Sequence, residues 1–158
     1  MAAKSTPDEI RKRFDNDVQR FSNLETGQKA VIDSSLQMDL IASSAFYVNR
    51  DAKKILDIGC GAGNYTIKTL QKIPNLDCTL LDLSLPMLEQ AKKRISVLTR
   101  GEVRTIQGDI RSVDITSGTY DIVIAAVVLH HLREYDEWRS VFEKIYKSLV
   151  IGGGPFGY

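Results

Sequence analysis

The sequence predicts an α/β fold of three layers, helix–sheet–helix, around a mainly parallel sheet. Three observations carry that reading. From residue 54 onward, short apolar runs alternate with helical segments. The runs are dense in β-branched residues, as in strands covered on both faces. Strand, helix, strand repeated three times implies βαβ units with right-handed crossovers. Composition agrees: 158 residues, 43% apolar, 26% charged and a formal net charge of +1 describe an ordinary globular domain rather than a disordered chain.

The N-terminal fifty residues read as a helical segment ahead of the sheet domain, which spans 51–158. Thr6-Pro7-Asp8-Glu9 combines a capping Thr, a Pro at the first helical position and a Glu three residues after the cap. Ile10, Phe14, Val18 and Phe21 follow at spacings of four, four and three, one helical face. Gly27 breaks this helix, and a second is expected over 28–47 with Val31, Ile32, Leu36, Leu40 and Ile41 inward.

The expected strands are Ile55-Leu56-Asp57-Ile58, Cys78-Thr79-Leu80-Leu81, Val103-Arg104-Thr105-Ile106 and Ile122-Val123-Ile124-Ala125-Ala126. Helices are expected at 64–72, ended near Pro74, and at 85–98, with Ser84 as N-cap and Gly101 just past the end. Trp138, Val141, Phe142, Ile145, Tyr146 and Leu149 make the apolar stripe of a last helix.

The chemistry is concentrated at the strand ends. The first strand runs into Gly59-Cys60-Gly61-Ala62-Gly63-Asn64 and then a helix. Glycine permits positive φ and close approach of the backbone to a ligand, and a helix N-terminus offers free N–H groups. A plain tight turn would use the same residues. The second strand ends in Asp82, nineteen residues after Gly63, where a carboxylate suits a ribose diol. The third is followed by Gly108-Asp109-Ile110, where a carboxylate can receive an adenine amino group. Three carboxylates at successive strand tips line one crevice, the usual ligand site of open α/β sheets.

Two nucleotides fit such a crevice. A dinucleotide turn places a third Gly where this chain has Asn64. Asp57, two residues before the first Gly, repels pyrophosphate and suits the ammonium and sulfonium of S-adenosylmethionine. The residues favour S-adenosylmethionine, with a nicotinamide dinucleotide as the alternative.

Residues 54–154 resemble the first two-thirds of a class I S-adenosylmethionine-dependent methyltransferase. The resemblance rests on LDIGCGAGNYT (56–66), LLDLSLPMLEQAKKR (80–94), QGDIR (107–111), YDIVIAAVVLHHL (120–132) and SLVIGGG (148–154). It implies a Rossmann-like fold and a methyl group transferred to a small-molecule or RNA acceptor, with S-adenosylhomocysteine as product. It implies that Asp57, Gly59, Gly61 and Gly63 hold the methionine moiety and Asp82 the ribose. Leu83 and Met87 would lie against the adenine, Asp109 and Ile110 at its edge, and Ala126 and Val127 on the reactive side. Helices such as those before residue 50 lid the pocket in relatives, which brings Arg20 or Phe21 toward the ligand. Within the resemblance, an enzyme that modifies S-adenosylmethionine itself would need a cation for the added carboxylate, which the sequence does not reveal. A non-catalytic binding module is the reading from another class.

The family sheet orders its strands 3-2-1-4-5-7-6. The sequence supplies an order 3-2-1-4 and then a tail in which four of the last seven residues are Gly, so the chain is expected to be C-terminally incomplete, without strands 5 to 7. The fourth strand, uncharged from Ile122 to Ala126, would then be a bare edge, and self-association through it is expected. No window of 18 apolar residues exists, so no membrane span is expected. The near-zero charge gives no field for nucleic acid. With no signal-like start, Cys60 and Cys78 read as reduced thiols of a cytoplasmic protein. Adjacent His130 and His131 do not share a face and are not expected to form a metal site; a base or substrate contact is their functional option. Lys92-Lys93-Arg94 reads as a solvated helix face or an RNA contact.

Overall fold

The computed structural model describes the backbone of residues 5–24 and 33–157, with side chains through residue 150. Helix α1 (Pro7–Asp15) starts as the sequence dictates. Thr6 Oγ1 accepts from the Glu9 N–H and the Glu9 carboxylate from the Thr6 N–H, a closed capping box. The single expected helix is two, because the chain turns at Asn16–Asp17 before α2 (Val18–Phe21). The break near Gly27 lies outside the described residues.

Helix α3 (Ser34–Val48) faces inward through Met38, Ile41, Ala42 and Ala45. Of the expected inner face only Ile41 is confirmed. Leu36 and Leu40 are more than half exposed, and Val31 and Ile32 lie outside the described residues. The inner face, which mixes Met38 and Ile41 with the small Ala42 and Ala45, is the one that packs on α4 (Asn64–Leu70).

Strands β1 (Lys54–Ile58), β2 (Asp77–Asp82), β3 (Val103–Gln107) and β4 (Tyr120–Ala125) pair in parallel in the order 3-2-1-4, as read from the sequence. A fifth strand, β5 (Leu149–Gly157), pairs in parallel with β4. The tail expected to carry no strand is therefore one, and β4 is a central strand rather than a bare edge. The pairing is irregular at its start: Tyr120 stands opposite Leu149, but Ile122 opposite Gly154. That discontinuity lets a Gly-rich segment without alternating polarity join the sheet. The sheet's edges are β5 and β3, and β3 is largely exposed and not covered on both faces.

The remaining helices are α5 (Leu85–Ile95) and α6 (Tyr135–Ser148), the latter preceded by a one-turn 3₁₀ helix, Leu129–His131. Ser84 caps α5 as expected, its Oγ accepting from the Met87 N–H. Side chains alternate along the strands between two cores. Ile55, Cys78, Leu80, Ile122 and Ile124 pack with α3, α4 and α5. Leu56, Ile58, Leu81, Val123 and Ala125 pack with Val141 and Ile145 of α6. This period of two produces the three layers. Phe142 and Tyr146 of the expected α6 stripe are exposed.

Candidate active site

The C-terminal ends of β1, β2 and β4 open into a cavity of about 340 Å³, roofed by α1 and α2. Of the residues singled out in the sequence, Gly59, Gly61, Asp82, Leu83, Met87, Asp109, Ile110, Ala126 and Val127 line it. Asp57 and Gly63 do not.

The turn after β1 is held open by residues around it. Gly59, Gly61 and Gly63 all have positive φ, 68°, 50° and 83°. They do so for different reasons. A Cβ on Gly59 would stand 2.5 Å from Val128 Cγ2, and one on Gly63 would stand 2.8 Å from Ile95 Cδ1 of α5. These two glycines permit packing within the protein. A Cβ on Gly61 would meet nothing within 4 Å. Gly61 therefore borders open cavity, a cradle that a side chain would fill. Arg94 braces the turn from behind, donating to the Ala62 carbonyl and, at 2.8 Å, to Asn64 Oδ1. The basic run at 92–94 thus supplies a structural residue in Arg94.

Asp82 ties the turn to the next strand. Its Oδ2 accepts from the Gly61 N–H at 2.8 Å and its Oδ1 from the Ser84 N–H at 2.9 Å. Burial pushes its pKa up, opposed by the backbone donors of Ser84, Gly61 and Leu83. A carboxylate offers about four acceptor positions, so the three backbone donors leave it acceptor capacity for a further partner.

Asp57 is buried beneath the turn, where the Thr66 hydroxyl donates to it at 2.6 Å. Burial drives its pKa up to about 7, against the pull of that hydrogen bond, and the charge of Asp82 adds to the rise. Asp109 is held from one side by Arg111, whose Nε lies 2.9 and 3.0 Å from its two oxygens. Burial raises the Asp109 pKa, but the Arg111 hydrogen bonds outweigh it, and the net shift is downward. Arg111 also reaches Glu137 of α6 at 3.0 Å.

Val127, directly after β4, has φ 56°, a left-handed conformation that a β-branched residue adopts only under constraint from its surroundings. It directs the chain into the 3₁₀ turn that carries His130 and His131 onto the cavity wall. Burial lowers the His131 pKa, and the neighbouring charges of His130, Arg111 and Arg13 lower it further. Among the described residues, no cluster of three or more His, Cys, Asp or Glu could hold a metal ion.

Sequence reasoning missed Arg13, Phe14 and Arg111 on the wall, and held Arg20 and Phe21 only through the resemblance. Ile10 and Phe14 of the N-terminal apolar face were the available signal: that face had to meet something, and it meets the cavity. The cations of the wall absent from the sequence reading are two arginines, Arg13 and Arg111.

The profile of a methyltransferase domain family matches residues 55–153, well over half the chain. The chain belongs to that family. It is a methyltransferase domain of the class I, S-adenosylmethionine-dependent type, with a Rossmann-like sheet. Among curated relatives, a malonyl-[acyl-carrier protein] O-methyltransferase of Priestia megaterium is 30% identical over 144 residues, covering 91% of this chain and 48% of its own. The methyltransferase domain thus spans about half the length of that relative. A Leishmania major SAM-dependent methyltransferase structure superposes with a TM-score of 0.69 at 20% identity, over 91% of this chain and 59% of its own. The structure described as a DhpI–SAM–HEP complex gives 0.69 at 15% identity, over 98% and 66%. At those identities the structures establish the shared fold. No helix among the described residues of the methyltransferase domain is long and apolar enough to cross a membrane.

Proposed function

We propose that this cavity binds S-adenosylmethionine and that the protein transfers its methyl group to an acceptor entering beside β4. One observation carries the reading. Gly61, the turn glycine whose Cβ position is empty, borders the same cavity as the carboxylates of Asp82 and Asp109. A backbone cradle beside two acidic strand tips suits a nucleoside with a cationic tail.

In this reading Gly59 and Gly61 face the methionine moiety, and Asp82 accepts the ribose hydroxyls. Leu83 and Met87 contact the adenine, with Asp109 and Ile110 at its edge. Ala126 and Val127 line the reactive side. Asp57 and Gly63, off the cavity wall, act on the methionine moiety through the turn: Asp57 through Thr66, and Gly63 by letting α4 approach α5. When bound, the sulfonium supplies the activation for transfer, so the protein aligns the acceptor and excludes water. Phe14 and Phe21, with ring centroids 5.3 Å apart, form an apolar cover suited to that exclusion.

The buried turn disfavours the dinucleotide alternative. Asn64, at the place of the third dinucleotide glycine, is buried and bonded to the Phe21 carbonyl at 2.8 Å and to Arg94. Side-by-side titration with S-adenosylhomocysteine and NAD tests the proposal. Saturable binding of the first alone is expected; binding of NAD alone overturns it.

Two free, buried cysteines suit a reducing compartment and support a cytoplasmic setting. With β4 paired, self-association is expected at β5, whose outer side has no partner among the described residues. Its sequence, Leu149 to Gly157, carries no charge. Light scattering over a concentration series tests this, and a constant monomer mass removes it.

A further inference from the structure

A second cavity, of about 270 Å³, adjoins the first. Ile10, Arg13, Phe14, His130 and His131 line both, so the two share one wall formed by α1 and the turn after β4. We propose that this second cavity is the acceptor site, and that Arg13 and His131 select an acceptor carrying an oxyanion, either a carboxylate or a phosphate. The proposal rests on the methyltransferase reading and adds the substrate class.

The charge inventory points this way. Among the described residues, Arg13 and the two imidazoles contribute the basic groups of the second cavity, and Glu9 is its one carboxylate. Glu9 is already committed: it accepts from the Thr6 N–H at 2.7 Å and feels the charge of Arg133. The other arginines of the cofactor cavity are satisfied. Arg20 pairs with Asp17 at 2.6 Å, and Arg111 with Asp109 and Glu137. Arg13 has neither an ion pair nor a hydrogen-bond partner among the described residues. A guanidinium is a planar fork that matches carboxylate and phosphate oxygens two at a time. Ile10 and Phe14 provide an apolar side for the remainder of the acceptor.

His131 sits among Arg13, Arg111 and His130, with Asp109 as the opposing charge and Glu9 across the second cavity. The ring centroids of His130 and His131 are 4.0 Å apart. This is a positive surrounding, and an anion placed there is favoured. The same anion would make it easier for His131 to take up a proton, which supplies a readout independent of turnover.

The test uses the 158-residue chain saturated with S-adenosylhomocysteine, with the imidazoles followed by NMR. Propionate, inorganic phosphate and the neutral isostere propionamide are titrated separately. Propionate or phosphate should raise the His131 titration midpoint, and propionamide should not; the stronger of the two anions identifies the acceptor group. Arg13→Gln should weaken that anion about tenfold or more, the loss of a charge-assisted pair, while Arg13→Lys retains part of it. Circular dichroism verifies that each variant is folded. Equal binding of propionamide, unchanged anion binding in Arg13→Gln, or displacement of S-adenosylhomocysteine by the anions each overturns the inference. Failure of S-adenosylhomocysteine to bind at all overturns the methyltransferase reading, and this inference with it. Normal cofactor-product binding with no anion effect overturns this inference alone.

Discussion

The cavity's floor and its roof are built differently. The floor, the turn at 59–63 and the tips of β1, β2 and β4, is braced by partly buried groups that reach it from β2, α5 and the turn after β4. Asp82 holds Gly61, Arg94 holds Ala62 and Asn64, and Val128 packs over Gly59. The roof, α1 and α2, buries only Ile10 among its side chains. Its attachment to the sheet domain includes three polar contacts far apart in sequence. The Ser84 hydroxyl donates to Asp15 at 2.5 Å, Asn64 to the Phe21 carbonyl, and Arg133 to the Ser5 carbonyl. Little buried apolar surface and a few partly exposed hydrogen bonds mark an element of low local stability. In the proposed reading the floor holds the ligand, and the more weakly attached roof is the part whose opening would admit it.

Breaking the floor should have the largest effect. Gly61→Val puts a branched side chain into the cavity at a positive φ, and S-adenosylhomocysteine binding should be lost while the fold survives. Isothermal titration beside circular dichroism measures both, and normal affinity would reduce the turn to a turn. Asp82→Ala removes charge-assisted hydrogen bonds of about 1.5–3 kcal/mol. It should weaken S-adenosylhomocysteine by roughly 10- to 150-fold; unchanged affinity in a folded variant takes Asp82 out of the site.

Beneath the floor, Asp57 links the site to pH. Its folded pKa, about 7, lies above the ordinary 3.8, so ionisation burdens the folded state alone. Asp57 is therefore neutral and harmless below about pH 4, and its destabilising effect grows as pH rises to about 7. Asp57→Asn retains an acceptor for Thr66 and should gain stability relative to the parent above pH 7, by up to roughly 4 kcal/mol. Parallel urea denaturation curves at low and high pH would refute this.

The smallest effect should come from the roof. Asp15→Ala frees Ser84, and a hydrogen bond worth about 1 kcal/mol corresponds to about fivefold. That factor should enter the dissociation rate of S-adenosylhomocysteine, measured by stopped flow, with global stability almost unchanged. A large loss of stability would make α1 an integral part of the core and erase the contrast between floor and roof.

Much of this was legible in the residues because it is local. The capping box at Thr6–Glu9, the Ser84 cap and the apolar runs of β1, β2 and β4 each depend on neighbours a few positions away. The same holds for the strand-tip positions of Asp82 and Asp109, whereas the order 3-2-1-4 came from the resemblance to the methyltransferase family. Residues without such a local signature were misplaced or missed. Leu36 and Leu40 match the helical period as well as Met38 and Ala42 do, and only the contact with α4 decides which side is buried. The tail from Leu149 to Gly157 has no strand-like alternation, and it becomes a strand because β4 offers a long row of unpaired backbone groups beside it. Arg13 and Phe14 reach the cavity through a fold of the N-terminal segment across the sheet that no short-range pattern encodes. Even the three glycines, alike in sequence, part company in space: Val128 and Ile95 crowd two of them, and the third faces the void. Local backbone preference and periodicity determined the elements and their order. Long-range packing, which depends on shape and volume across the sheet, decided which face is buried, where the sheet ends and which charges share the cavity.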